Sequence, residues 1–248
     1  VVVQWFAILL IGALVGFLGG LFGKGGSSIA TPLLALIGLP PLVAIASPLP
    51  ATVPGTLVAY RRYRRGGVFD AQVVLWSVAF GVPSTILGAA ASQWISGAVL
   101  ITITDVVLAC VGARVLLSAG RGVEQLDPSA PHGRLRLALV GITVGLLAGL
   151  LANAGGFLLV PLYLGVLKIP LRPALGSSLA VACALALPGT IVHAGLGQVN
   201  WTVAIAFGLA SIPLSGLGAR TALRMNSVRL ERIYGAGLLV LGAVLLVV

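Results

Sequence analysis

The sequence predicts an all-α integral membrane protein: about ten helical segments forming two five-segment repeats of inverted topology, with short Gly-interrupted helices at the second and seventh positions. Three observations predict it. Hydrophobic residues fill 59% of the 248 positions and charged residues only 8%, against about 45–50% and about 25% in soluble domains. That excess of apolar side chain has to face lipid, and at about 20 residues per crossing the length admits about ten to twelve spans. The second observation is an internal repeat. The stretch GFLGGLFGKGGSSIATPLL from Gly16 aligns without gaps on GLLAGLLANAGGFLLVPLY from Gly145, and Pro32 and Pro41 fall on Pro161 and Pro170. The third is the placing of the fifteen Lys and Arg residues, which keep to alternate loops.

The segments follow in order. The first, 3 to 22, carries Gly12, Gly16 and Gly20, a four-residue spacing that lets helix backbones approach closely in a membrane. It lacks a basic leading region and recurs in mid-chain, so it reads as a structural helix and not a signal peptide. The second, 27 to 39, is about 13 residues long against the 17 to 25 of an ordinary span, and it follows a glycine-rich break. The third, 42 to 60, contains the hydroxyl- and proline-rich SPLPATVPGT and ends at RRYRR, residues 61 to 65. Prolines there and in the eighth segment predict unwound stretches facing protein or a water-filled cavity. The fourth spans 70 to 92. The fifth, 97 to 119, holds Asp105 and Cys110.

A polar stretch from Gly120 to Gly133, with Pro128 and Pro131, is the natural linker. It divides a first repeat, 1 to 119, from a second, 135 to 248, with 120 to 134 between them. The second half repeats the plan in segments at 135 to 152, 156 to 168, 172 to 195, 200 to 219 and 229 to 248. It opens with Gly141, Gly145 and Gly149, and its short second segment again follows a glycine-rich break. If RRYRR is cytoplasmic, one crossing per segment puts all basic residues on or toward that side and the N-terminus outside. The +10 net charge is therefore a topology signal and not a sign of nucleic acid. An odd number of crossings per half inverts one half against the other, the pattern of a secondary transporter whose site lies at the paired breaks.

At the first break, Gly23, Gly25 and Gly26 leave backbone N–H groups unencumbered, Lys24 adds charge, and Ser27 or Ser28 is placed to cap the next helix. A helix N-terminus with free donors and partial positive charge suits a small anion. The competing reading is a tight packing turn with Lys24 snorkelling to the surface. A Walker A loop would need Gly where Leu18 stands and Ser or Thr where Gly25 stands. At the second break Asn153, Ala154, Gly155 and Gly156 offer a neutral counterpart, Asn153 donating to an oxyanion or bonding between helices. Ser47, Thr52, Ser177 and Ser178 are further hydroxyl candidates, each also an ordinary helix-packing residue. Asp105, the carboxylate deep in an apolar run, and His193 are candidates to carry a coupling proton or cation. Five acidic residues, two histidines and no metal-ligand cluster argue against an enzyme, and no cofactor is expected. Cys110 and Cys183 read as small core residues.

The glycine-rich breaks followed by PLL and PLY, the SPL and SSL elements, the paired PGT and the GQVNW at 197 to 201 resemble the TauE/SafE sulfite exporter family, also called the 4-toluene sulfonate uptake permease family. The resemblance covers nearly the whole chain. It implies transport of sulfur-containing anions such as sulfite, thiosulfate or small organosulfonates across the bacterial inner membrane, with Gly23, Gly25, Gly26, Gly155 and Gly156 as the family's loop glycines. Lys24 and Ser27 depart from family loops that read more like GIGGG, and Ala152 and Ala154 replace glycines in the second half. Two alternatives share the sequence features: a passive anion channel, and a non-transporting membrane subunit that assembles with a partner.

Overall fold

The computed structural model describes residues 2–23, 27–100, 102–103, 106, 133–226, 229–230, 232–233 and 236. Among them the structure is all helical. Helices α1 (Val2–Phe22), α2 (Ser27–Leu36), α3 (Pro41–Ala46), α4 (Leu49–Arg65) and α5 (Ala71–Ala91) precede a 3₁₀ turn at Ser92–Trp94. After the undescribed stretch come α6 (Arg134–Leu150), α7 (Gly156–Gly165), α8 (Leu171–Gly195) and α9 (Trp201–Arg224). Five stretches of the described residues are long and apolar enough to cross a membrane: Gln4–Phe22, Pro41–Arg65, Ala71–Trp94, Leu171–Gly195 and Trp201–Arg224. Large apolar side chains such as Phe6, Leu10, Leu75, Leu87, Ile191 and Leu209 point outward, as a lipid-facing surface requires.

Glycine decides which helices touch. A Cβ on Gly12, Gly16 or Gly20 would overlap the backbone of Phe207, Ser211 or Ser215, and one on Gly218 would overlap Phe17. Helix α1 thus lies along α9 in parallel, backbone against backbone, a contact that any larger side chain would prop open. Helices α5 and α6 make the matching contact, with Gly141, Gly145 and Gly149 against Ser77, Gly81 and Thr85, and Gly88 against Leu146. Helix α4 runs alongside α9 in the same direction, Gly208 facing Ala51 and Gly216 facing Val58. Helix α8 runs the other way, with Gly189 beside Leu49 and Gly176 beside Tyr63, and it is parallel to α5. So α1, α4 and α9 point one way and α5, α6 and α8 the other.

Two helix starts are fixed in the same manner. Asp70 caps α5, its carboxylate accepting from the Gln72 and Val73 N–H groups, and Asn200 caps α9 by accepting from Thr202 and Val203. The Asp70 N–H in turn donates to Ser177 Oγ at 2.8 Å, and the Asn200 N–H donates to Ser47 Oγ at 3.0 Å.

One expectation is corrected. Helices α4 and α8 pass unbroken through Pro54 and Pro188, leaving only the turn at Ser47 and Pro48 as a break in the hydroxyl-rich third segment. A proline removes a single donor, and neighbouring packed helices hold the rest of the ladder. Thr52 Oγ1 donates to the Pro48 carbonyl and Thr56 Oγ1 to the Thr52 carbonyl, so these hydroxyls serve their own helix.

Candidate functional site

The described glycines of the two expected breaks, Gly23 and Gly155, both lie against α8. Helix α1 stops at Phe22, and Gly23 adopts φ +67°, where a Cβ would also crowd Leu175 and Ser178. The Ser178 hydroxyl bridges the carbonyls of Gly23 and Leu175, 2.8 Å from each. Lys24, Gly25 and Gly26 lie outside the described residues, as do the side chains of Ser27 and Ser28, which begin α2.

The second break is described throughout. Helix α6 closes with the Asn153 N–H donating back to the Ala148 carbonyl at 2.8 Å. Ala152 then takes φ +43° and Gly155 φ +67°. The Gly155 N–H donates to Asn153 Oδ1 at 2.7 Å, a side-chain turn that locks the amide in place. The Gly155 carbonyl accepts from the Leu158 and Leu159 N–H groups and so starts α7. Ala154 and Gly156 are buried beside it. With Oδ1 spent, the amide group of Asn153 is left as a donor. Asn153 is 1% exposed and its Nδ2 has no partner in the protein.

His193 is also buried, and it joins α8 to the last turn of α6. Its Nε2 lies 2.8 Å from the Gly149 carbonyl, and its Nδ1 faces Gln198 Oε1. Asp105 lies outside the described residues. Ser47 and Ser177 are brought not to a common site but to opposite helix ends, each accepting from a capping residue. Thr52 instead lines a small pocket between α1, α4 and α9, with Gly16, Gly20, Thr56, Ser211 and Ser215. Thr52, Thr56 and Ser215 give their protons to the carbonyls of Pro48, Thr52 and Gly55.

Sequence reasoning missed Ser211 and Ser215, although their four-residue spacing opposite Gly16 and Gly20 was a signal. It also missed the hydrogen bond of 2.8 Å between Tyr163 and Ser77, which carries no local signal. Among the described residues no cluster of His, Cys, Asp and Glu is arranged to hold a metal ion.

Known proteins agree with a membrane reading along the full length of the chain. The sequence profile described as "Sulfite exporter TauE/SafE" matches residues 8–245. A probable membrane transporter protein of Xylella fastidiosa strain Temecula1 is 32% identical over 237 residues, covering 90% of this chain and 88% of its own. The probable membrane transporter protein YunE of Bacillus subtilis is 26% identical over 242 residues, covering 88% and 87%. No solved structure matches this one significantly. Polytopic helices, backbone-close glycine contacts and a family match from end to end converge on one assignment: the chain belongs to the TauE/SafE sulfite exporter family of membrane transporters.

Proposed function

We propose that the protein is a secondary transporter of small sulfur-containing anions, such as sulfite, thiosulfate or organosulfonates, across the bacterial inner membrane. The anion is held between the two glycine-rich breaks and released by rearrangement of two inverted halves. The observation that carries this reading is Asn153, a buried amide whose oxygen is tied down and whose N–H donors are left over. A buried donor without a partner costs about 1–3 kcal/mol, and an oxyanion relieves that cost. Lys24, placed in the equivalent break by the repeat, supplies the opposite charge.

Two sets of paired contacts support the inverted halves. The glycine face of α1 packs on α9 as that of α6 packs on α5, and Ser47 with Asn200 matches Ser177 with Asp70. Ser178 and Leu185 mark where α8 meets the first and second breaks. They are separated by about 10 Å along the helix, a span that one small anion and a lysine side chain fill together.

The test is counterflow of labelled sulfite, thiosulfate and a small sulfonate into proteoliposomes loaded with unlabelled anion. Asn153→Asp preserves the acceptor that holds the Gly155 turn but replaces the donor with a negative oxygen. Exchange should fall at least tenfold in this variant and in Lys24→Ala, with the protein still folded. Wild-type rates in both would remove the breaks from the site.

A further inference from the structure

Three more buried polar atoms among the described residues lack a protein partner: Thr190 Oγ1 in the second half of α8, and two that lie together at the basic end of the bundle. Tyr63, in the last turn of α4, is 0% exposed, and its hydroxyl neither donates nor accepts a hydrogen bond. Arg172, in the first turn of α8, donates from Nη2 to the Met225 carbonyl at 2.7 Å, which anchors the guanidinium. Its Nε is buried and unpartnered. The two elements touch, since a Cβ on Gly176, one turn beyond Arg172 on α8, would meet the Tyr63 Cβ at 3.2 Å.

The surroundings favour negative charge. Helix α8 starts after Pro170 with no side-chain cap, so its first N–H groups and the positive end of its dipole face the same region. Arg62, Arg64 and Arg65 close α4. The carboxylate of Asp70 is engaged as the cap of α5. At the opposite end of α8, His193 has partners for both its ring nitrogens.

We propose that Tyr63 and Arg172 form an oxyanion subsite at this end, separate from the breaks, with Arg172 Nε and the Tyr63 hydroxyl as donors. A planar guanidinium held by its Nη2 presents Nε as a fixed donor, which suits a sulfur or phosphorus oxyanion. The subsite deepens the transport reading as a docking point on the route to the first break, yet its binding stands apart from transport.

The experiment is calorimetric titration of the purified full chain in maltoside micelles with sodium sulfite and, separately, inorganic phosphate. A second arm compares thermal unfolding in micelles doped with phosphatidylglycerol or phosphatidylcholine. Tyr63→Phe removes only the unpartnered hydroxyl, and Arg172→Lys keeps charge but loses the Nε geometry. Each variant should weaken oxyanion binding roughly tenfold, the loss of one charge-assisted hydrogen bond. Sulfite or phosphate binding lost in both variants identifies a free anion. Stabilisation by phosphatidylglycerol alone, lost in both variants, identifies a lipid phosphate in the same subsite. Unchanged affinity and unchanged lipid stabilisation in both would overturn the proposal. Lys24→Ala and Asn153→Asp should retain this binding while losing exchange, so failure at the breaks and failure at Arg172 are read separately.

Discussion

Gly20 and Gly195 differ by what surrounds them and by nothing in their own chemistry. A methyl group on Gly20 would overlap the Ser215 carbonyl and the backbone beyond it, whereas one on Gly195 meets nothing within 4 Å. Gly20→Ala should therefore destabilise the protein by about 1–3 kcal/mol, as forced overpacking does. Gly195→Ala should stay within about 0.5 kcal/mol of wild type. Thermal unfolding in detergent compares them directly, and equal midpoints would refute the backbone contact between α1 and α9. Tyr163→Phe is a second single-atom test. It leaves the buried Ser77 hydroxyl without its partner, at a cost of about 1 kcal/mol. At the same scale the sequence marked Asn153 as a donor, but only the fold told which of its two polar atoms is free.

Helix starts carry the next level of order. Asp70 and Asn200 each satisfy two N–H groups of the helix that follows and each reach a serine on another helix through their own backbone N–H. Asp70→Ala and Asn200→Ala should each lower stability by about 1 kcal/mol, measured by heat or denaturant in micelles. An effect in one variant and none in the other would argue against equivalent roles. The boundaries of most elements were legible: segments expected at 3 to 22, 70 to 92 and 172 to 195 appear as α1, α5 and α8 with no end shifted by more than one residue. Unwinding at the prolines was not legible correctly, because a proline reports a missing donor and not whether neighbours hold the helix together. The fifth and tenth expected segments fall largely outside the described residues.

For the whole molecule, the proposed arrangement of ten crossings places RRYRR on the cytoplasmic side and the loop before α9 on the other. Introduced cysteines test it in a background lacking Cys110 and Cys183. Arg65→Cys and Leu196→Cys both stand on exposed side chains. A membrane-impermeant maleimide added to intact cells should label the Leu196 variant and reach the Arg65 variant only after lysis. Labelling of both from outside would reverse or break the proposed topology.

Composition and periodicity alone determined that the chain is helical and membrane-embedded, and the sequence by itself carries a glycine-rich stretch that begins at Gly16 and recurs from Gly145. These properties follow from local chemistry, apolar length against bilayer thickness and the conformations that Gly and Pro allow. The family was legible too, because its motifs are local and contiguous. Tertiary structure alone decided that the glycine face of α1 meets α9 and that of α6 meets α5, a pairing of segments distant in sequence to which no residue's own preferences point. It also decided which polar atoms are left over. Ser178 gives its proton to carbonyls that join helices, and Ser47 and Ser177 accept from capping residues, while Asn153 Nδ2, the Tyr63 hydroxyl and Arg172 Nε have no partner at all, since a buried group is free or satisfied only by virtue of what the rest of the chain brings to it.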